Sequence, residues 1–343
     1  MLDLWWAVKP LAIHSWDWVK YNALFLSEHF LGQSLYKKLF QGTEKSLISR
    51  VESKLESQLK NPKFYHHHYE SFLETYENVE NVEIKKIRTN SKVQLFKGAA
   101  AKWNCSSWDL DYFKKNYGEK EVTVLNSDGL FEKGVQQFGS TSMAQYIDML
   151  KKGSKVYLKF SPMVHHDSSL RKGFDIDWLE QFSMPGSFGR KFFLFIGGGN
   201  TLTPIHTALS NTVFVQVYGK KKWTFWVPND RFFLNVRANR RAYFYTDFDP
   251  FSDQNPDFPL AKYANKVEVT LEAGDVLWFP GFFWHHVVNE IDSIGVAYKT
   301  AHFPSALKGS ISMTLLSFLA TKPFLLESLI KSNFKNNERV FLE

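Results

Sequence analysis

Apolar and polar positions alternate with two different periods along this chain. Over residues 1–80, Leu24, Phe25, Leu31, Leu35 and Leu39 recur at near-helical spacing between polar neighbours, which predicts a helical N-terminal segment. From about residue 82 short β-rich runs take over, at 93–96, 155–160 and 192–196, separated by Gly, Pro and Asn turns. Beyond residue 200 such runs dominate, at 212–218, 223–227, 266–271, 276–279 and 294–298. Short strands in close succession without intervening helices predict an antiparallel barrel or a double-sheet jelly roll. The stretch 229–265, rich in Arg, Asn, Asp and Pro, reads as an insertion between strands, suited to a lid or substrate loop. From about 305 the helical period returns, with Leu315, Leu316, Phe318 and Leu319 apolar and Pro323 as a breaker. The expected architecture is mainly β with helical flanks: a helical segment 1–80, a β domain 81–304 and a helical tail 305–343.

Composition narrows the class. With 44% hydrophobic and 17% aromatic residues, 343 residues are ample for a large core and far too apolar for a disordered chain. The single cysteine, Cys105, excludes an internal disulfide framework and a thiolate-rich zinc site, so any metal must be held by histidine or carboxylate. A net charge of +7 allows an acidic partner without requiring one, and no zinc knuckle or base-stacking motif accompanies it, so nucleic acid is not the expected partner. The start, with Asp3 among apolar residues and no basic lead-in, does not read as a cleaved signal, and no apolar run approaches the ~20 residues of a membrane span. A cytoplasmic location is expected. Trp5, Trp6, Trp16 and Trp18 make the N-terminus unusually aromatic; a helix packed on the main domain is the plain reading, interfacial contact with membrane or lipid the sharper one.

Several clusters that suggest chemistry are weak. Consecutive helical residues diverge by about 100°, so His66, His67 and His68 read as surface residues. His165, His166 and Asp167 read as an exposed loop beside Ser168 and Ser169, and Gly197-Gly198-Gly199 lacks the context of a dinucleotide fold. Cys105 has no matching base nearby in sequence. Arg237, Arg240 and Arg241 form a basic cluster in the insertion that would either be solvated or meet an anionic substrate.

Two distant segments carry more. Thr203-Pro-Ile-His206-Thr-Ala208 runs on through Asn211 to Lys221, and Gly274-Asp275-Val-Leu-Trp-Phe-Pro280 leads into Trp284-His285-His286-Val. Each places a histidine near a strand end beside a turn. Together with Phe96-Lys97-Gly98-Ala99, Trp103, Trp108 to Phe113 and Tyr117-Gly118, this pattern resembles the JmjC-like cupin oxygenases, the subgroup that contains the asparaginyl hydroxylase, over about residues 85 to 303. The resemblance implies a double-stranded β-helix that binds Fe(II), with 2-oxoglutarate and O2 as cosubstrates. By position, His206 and His285 match the iron ligands. Lys221, Thr203 and Tyr157 match the groups that hold the far carboxylate of 2-oxoglutarate; Asn211, Trp284 and His286 are candidates for the surroundings of the site. The departure is Ala208, which stands where the family has its carboxylate ligand. Three readings follow: a halide such as chloride fills the open position and the protein halogenates an unactivated carbon; water or a carboxylate such as Asp247 or Asp249 completes the site for hydroxylation; or the barrel is an inactive binding module. The expected substrate is a small or carrier-bound molecule, with a protein side chain as the alternative and a homodimer through the C-terminal helices open.

Overall fold

Two largely antiparallel sheets face each other and carry the site between them. The computed structural model describes residues 13, 15–58, 60, 71–126, 137–238, 242–252 and 255–320. Its strands are β1 Leu73–Tyr76, β2 Val93–Phe96, β3 Glu121–Asn126, β4 Gln137–Ser142, β5 Val156–Ser161, β6 Phe188–Gly197, β7 Leu202–Ala208, β8 Asn211–Tyr218, β9 Lys220–Trp226, β10 Tyr243–Tyr245, β11 Lys266–Glu272, β12 Val276–Phe279, β13 Trp284–Asn289 and β14 Ser293–Ala301. The larger sheet runs β1-β2-β12-β8-β14-β6-β5-β3-β4 and the smaller β10-β7-β13-β9-β11. The order β6-β14-β8-β12 in one and β7-β13-β9-β11 in the other is that of a jelly roll, the double-stranded β-helix expected from the sequence.

Period-2 alternation explains how the layers assemble. Along β6, Phe193 and Phe195 face inward with Phe214 and Leu277 to meet Trp223, Phe225, Leu271 and Val287 of the smaller sheet. The intervening Leu194 and Ile196 face outward with Val213, Val215 and Val296, and the helices Leu110–Tyr117 and Met143–Lys151 cover them through Phe113, Tyr146 and Ile147. Strands buried on both faces are apolar at nearly every position, which is why these runs stand out in the sequence. The outer face of the smaller sheet is covered by the helices Ser15–Leu31 and Gln33–Gln58, by the insertion, and by the helices Phe303–Gly309 and Ile311–Phe318.

Several expectations require correction. The N-terminal segment is not helical throughout: β1 lies within it and pairs in parallel with β2, so the larger sheet is not wholly antiparallel. The C-terminal helical region begins at Phe303, within the span assigned to the β domain. The insertion is not a polar lid. Phe232, Phe233, Leu234, Val236, Phe244 and Leu260 are buried in the core beneath the N-terminal helices, and β10 extends the smaller sheet. His165 and His166 end the short helix Met163–His166 rather than occupying a loop, and Asp167 caps the next one by accepting the N–H groups of Ser169 and Leu170. Trp18 packs against the core while Trp16 is 68% exposed. Trp5, Trp6, His66, His67, His68, Arg240, Arg241 and Pro323 lie outside the described residues. Among the described residues no helix is long and apolar enough to cross a membrane.

Candidate functional site

The smaller sheet sets the geometry of the histidines. β13 lies between β7 and β9, and the register places His285 directly opposite His206. Residues opposed in this way project to the same face, and the two ring centroids stand 4.2 Å apart. In each ring Nδ1 lies 2.9 Å from a backbone carbonyl, that of Pro204 for His206 and that of Phe283 for His285. A carbonyl only accepts, so Nδ1 carries the proton and Nε2 is the basic atom, the tautomer a metal ligand needs. Burial lowers the proton affinity of both rings: His285 is pushed down to about 3, and His206, which also feels the charge of His285, well below the usual histidine range. Both are therefore neutral at pH 7. The rings of Trp223, Phe225 and Phe279 pack around His285 with centroids 5.7, 5.9 and 5.0 Å away.

The two imidazoles line a cavity of about 340 Å³, measured to its mouth at solvent, whose rim includes Phe160, Ala208, Thr212, Tyr243 and Lys299. Ala208 follows His206 by two residues on β7 and so shares its face, and Tyr243 of β10 stands opposite Ala208. Phe160 and Phe282, both on the rim, have φ of 55° and 66°, a conformation that is strained for an aromatic residue and concentrates at functional sites.

A second cluster lies deeper. Lys221 is fully buried and donates to the Tyr157 hydroxyl at 3.1 Å and to Asn289 Oδ1. Its neighbours on β9 turn outward and pair with carboxylates, Lys220 with Glu272 and Lys222 with Glu268. Burial pushes the Lys221 ammonium well below the usual lysine range and the Tyr157 hydroxyl, bonded to Asn289 and Thr203, above its own. Asn289, not singled out from the sequence, is tied to Thr201 at 2.6 Å and accepts from Ser293 at 2.9 Å. Gly197 makes room for the cluster, since a Cβ there would fall 2.3 Å from Asn289 Nδ2 and 2.9 Å from the Tyr157 ring. Lys221 does not open onto the histidine cavity. It pairs with Asn289, four residues along β9 from Phe225, which pairs with His285, so the two clusters are separated by about 13 Å of strand.

The remaining candidates lie elsewhere. Asn211 accepts the Gly281 N–H at 2.9 Å and ties two turns together. Trp284 faces away from the cavity, with its indole N–H donating to the Pro228 carbonyl at 3.2 Å. His286 also points outward, to the ring of Phe251 at 5.1 Å, and Asp249 acts on it rather than on the histidine pair. Neither Asp247 nor Asp249 supplies a third ligand: among the described residues no three His, Cys, Asp or Glu side chains form a set able to hold a metal ion. Arg237 is neither solvated nor available to a substrate, because Glu44 at 3.2 Å and Glu28 at 3.8 Å hold it. Cys105 is buried, which pushes its thiol up to about 12 and leaves it unreactive.

A jelly roll that turns two tautomer-fixed imidazoles and a desolvated lysine toward its interior is the architecture of a cupin. The chain belongs to the cupin-like domain family, whose profile matches residues 79–302, and it is a JmjC-like member. It is 27% identical to human tRNA wybutosine-synthesizing protein 5 over 227 residues, covering 58% of this chain and 68% of that protein. It is 36% identical to human HSPB1-associated protein 1 over 132 residues, covering 37% of this chain and 26% of that protein. A JmjC domain-containing protein D of Dictyostelium discoideum is 29% identical over 104 residues, 29% of this chain and 23% of that protein.

Proposed function

We propose that the chain is an iron(II)- and 2-oxoglutarate-dependent oxidoreductase whose third protein ligand has been given up at Ala208. The observation that carries this reading is the histidine pair, opposed in register, neutral at pH 7 and held with Nε2 as the basic atom. These donors suit one ferrous ion. His206 and His285 would hold it; Lys221, with Tyr157 and Thr203, offers the cation and hydroxyl donors that burial of the far carboxylate of 2-oxoglutarate needs, and the cosubstrate would have to extend inward from the histidine cavity, past Trp223, to reach them. When bound, iron and 2-oxoglutarate together supply the oxidising power to attack an unactivated C–H bond with O2. The protein's own part is positional: two carbonyls orient the imidazoles, aromatic walls exclude water, and Asn289 presents the lysine.

Ala208 favours a finer reading. Its methyl group faces the cavity beside His206, so one coordination position falls to a ligand from solution. Chloride there would make the protein a halogenase; water there would make it a hydroxylase. The small cavity favours a small or carrier-bound substrate over a nucleic acid, although one relative is named for tRNA wybutosine synthesis. Anaerobic titration of the folded protein with iron(II) and 2-oxoglutarate tests the reading: a weak visible charge-transfer band is expected, shifting on addition of chloride or bromide. A folded protein that gives no band is a binding module, and a band indifferent to halide leaves only hydroxylation.

A further inference from the structure

We propose that Lys159 and Lys299 form an anion subsite at the mouth of the histidine cavity that receives an oxyanion, carboxylate or phosphate, of the primary substrate. This rests on the oxidoreductase reading above and names the substrate class of that same site. Lys299 lies on β14 at the parity of the inward-facing Ala297, opposite Thr212 of β8, and lines the cavity together with Thr212 and both histidines. Lys159 neighbours Phe160, another residue of the cavity wall, in a bulge. Leu158 pairs with Ile196 and Ser161 with Leu194, so Lys159 and Phe160 together stand opposite the single residue Phe195. Such an extra residue re-aims side chains, and here it coincides with the strained Phe160. The Lys159 ammonium donates to the Leu202 carbonyl at 2.8 Å and lies 4.7 Å from the Tyr157 ring centroid; that of Lys299 lies 5.2 Å from the Phe160 ring centroid.

Among the described residues Lys159 and Lys299 share with Lys221 the lack of a carboxylate partner. Lys97, Lys220 and Lys222 each meet a carboxylate, whereas among the described residues neither Lys159 nor Lys299 forms an ion pair. Lys191 stands directly across from Lys299 on β6, and opposed like charges repel. Burial pushes Lys159 down to about 7 and Lys299 down to about 8, and both charges bear on His206. A partly desolvated cation is costly without an anionic partner. The two carboxylates of 2-oxoglutarate would be engaged by Lys221 and by the metal, which leaves these ammonium groups for a different anion. Thr212, cross-strand from Lys299, adds a hydroxyl donor on the same rim.

The test is calorimetric titration of the full chain, loaded with Mn(II) and 2-oxoglutarate, with inorganic phosphate and separately with acetate. The parent should bind one of them, and the tighter one names the oxyanion. The double variant Lys159→Met/Lys299→Met should bind it at least about tenfold more weakly while its 2-oxoglutarate affinity changes less than threefold, because a charge-assisted contact carries at least that much. Lys299→Arg, which keeps the charge, should remain within threefold of the parent and controls for folding. The proposal is overturned if the parent binds neither anion, if the double variant binds as tightly as the parent, or if it loses 2-oxoglutarate as severely as Lys221→Met does. A parent that takes no 2-oxoglutarate, yet binds phosphate or acetate through Lys159 and Lys299, defeats the oxidoreductase reading and leaves the subsite standing.

Discussion

Replacing Lys221 with methionine separates cosubstrate binding from folding, because the two should respond in opposite directions. The ammonium is fully buried with no carboxylate partner, and desolvating such a group costs several kcal/mol. The bonds lost on substitution, to Tyr157 and Asn289, return about 1.5–3 kcal/mol each at most. Neither partner is stranded: Tyr157 keeps Thr203, and Asn289 Oδ1 keeps the Ser293 hydroxyl at 2.9 Å. Lys221→Met should therefore leave stability within about 1 kcal/mol of the parent or raise it, as read by urea unfolding of the metal-free protein. The sign of its pH dependence follows from linkage. Because the folded-state proton affinity lies below that of the unfolded chain, 10.5, the unfolded state binds more protons. The parent thus loses stability as pH falls below 10.5, and the advantage of methionine grows in the same direction. The affinity of the Mn(II)-loaded variant for 2-oxoglutarate should fall by about 30-fold or more, since truncating one partner of a buried charge contact costs about 2–5 kcal/mol. A variant destabilised by more than about 3 kcal/mol, with 2-oxoglutarate affinity within threefold of the parent, would show that Lys221 is a structural residue and refute the argument.

Three further outcomes can be checked. Ala208→Asp puts a carboxylate on the His206 face of β7, so Mn(II) affinity measured by calorimetry should rise about tenfold or more and any halide shift of the charge-transfer band should vanish; a variant that halogenates like the parent would sink the halide reading. Gly197→Ala drives a methyl group into Asn289 and Tyr157, so 2-oxoglutarate affinity should drop and stability should fall by about 1–3 kcal/mol while Mn(II) binding persists; unchanged cosubstrate affinity would disconnect that cluster from the site. In the metal-free protein, His285 and His286 protonate near pH 3 and 4 when folded but at 6.5 when unfolded, so stability should fall as pH drops from 7 toward 4, by on the order of 2–3 kcal/mol for each, with His286→Gln showing the shallower slope by urea midpoints.

The jelly roll was legible because strands buried on both faces carry apolar runs, such as Val213 to Val215 in β8 and all four residues of β12. The two strands that carry the histidines were expected beside their turns but were not marked out by periodicity. β7 reads Leu-Thr-Pro-Ile-His-Thr-Ala and β13 Trp-His-His-Val-Val-Asn, and neither is an apolar run or a clean alternation. Their polar positions are held by neighbours remote in sequence: Thr207 donates to the Phe283 carbonyl at 2.9 Å, and the outward Trp284 finds Pro228. The histidines were therefore recognisable by resemblance to a family and not by periodicity. β1 was hidden for a related reason, since its pairing with β2 is parallel and spans an intervening helix, Ile84–Ile87. In the insertion the polar composition outweighed the run Phe232-Phe233-Leu234, which marks a segment folded into the core.

Charge shows most clearly where local reading runs out. Arg237, Lys222 and Lys299 are indistinguishable as letters in polar surroundings, and what a buried cation does depends on whether a carboxylate distant in sequence arrives beside it. Glu28 and Glu44 come from the two N-terminal helices to meet Arg237, so that charge fastens the insertion to the helical layer. Glu268 of β11 meets Lys222 across the strand pair. No described carboxylate pairs with Lys221, Lys159 or Lys299, and all three are aimed inward by strand parity or by a bulge. A fold stabilised only by packing would gain nothing from three inward ammonium groups without counter-ions, two of them bearing on a histidine already disfavoured for protonation. Their placement is economical only if anions enter with the ligands, one for Lys221 and another for the pair at the mouth.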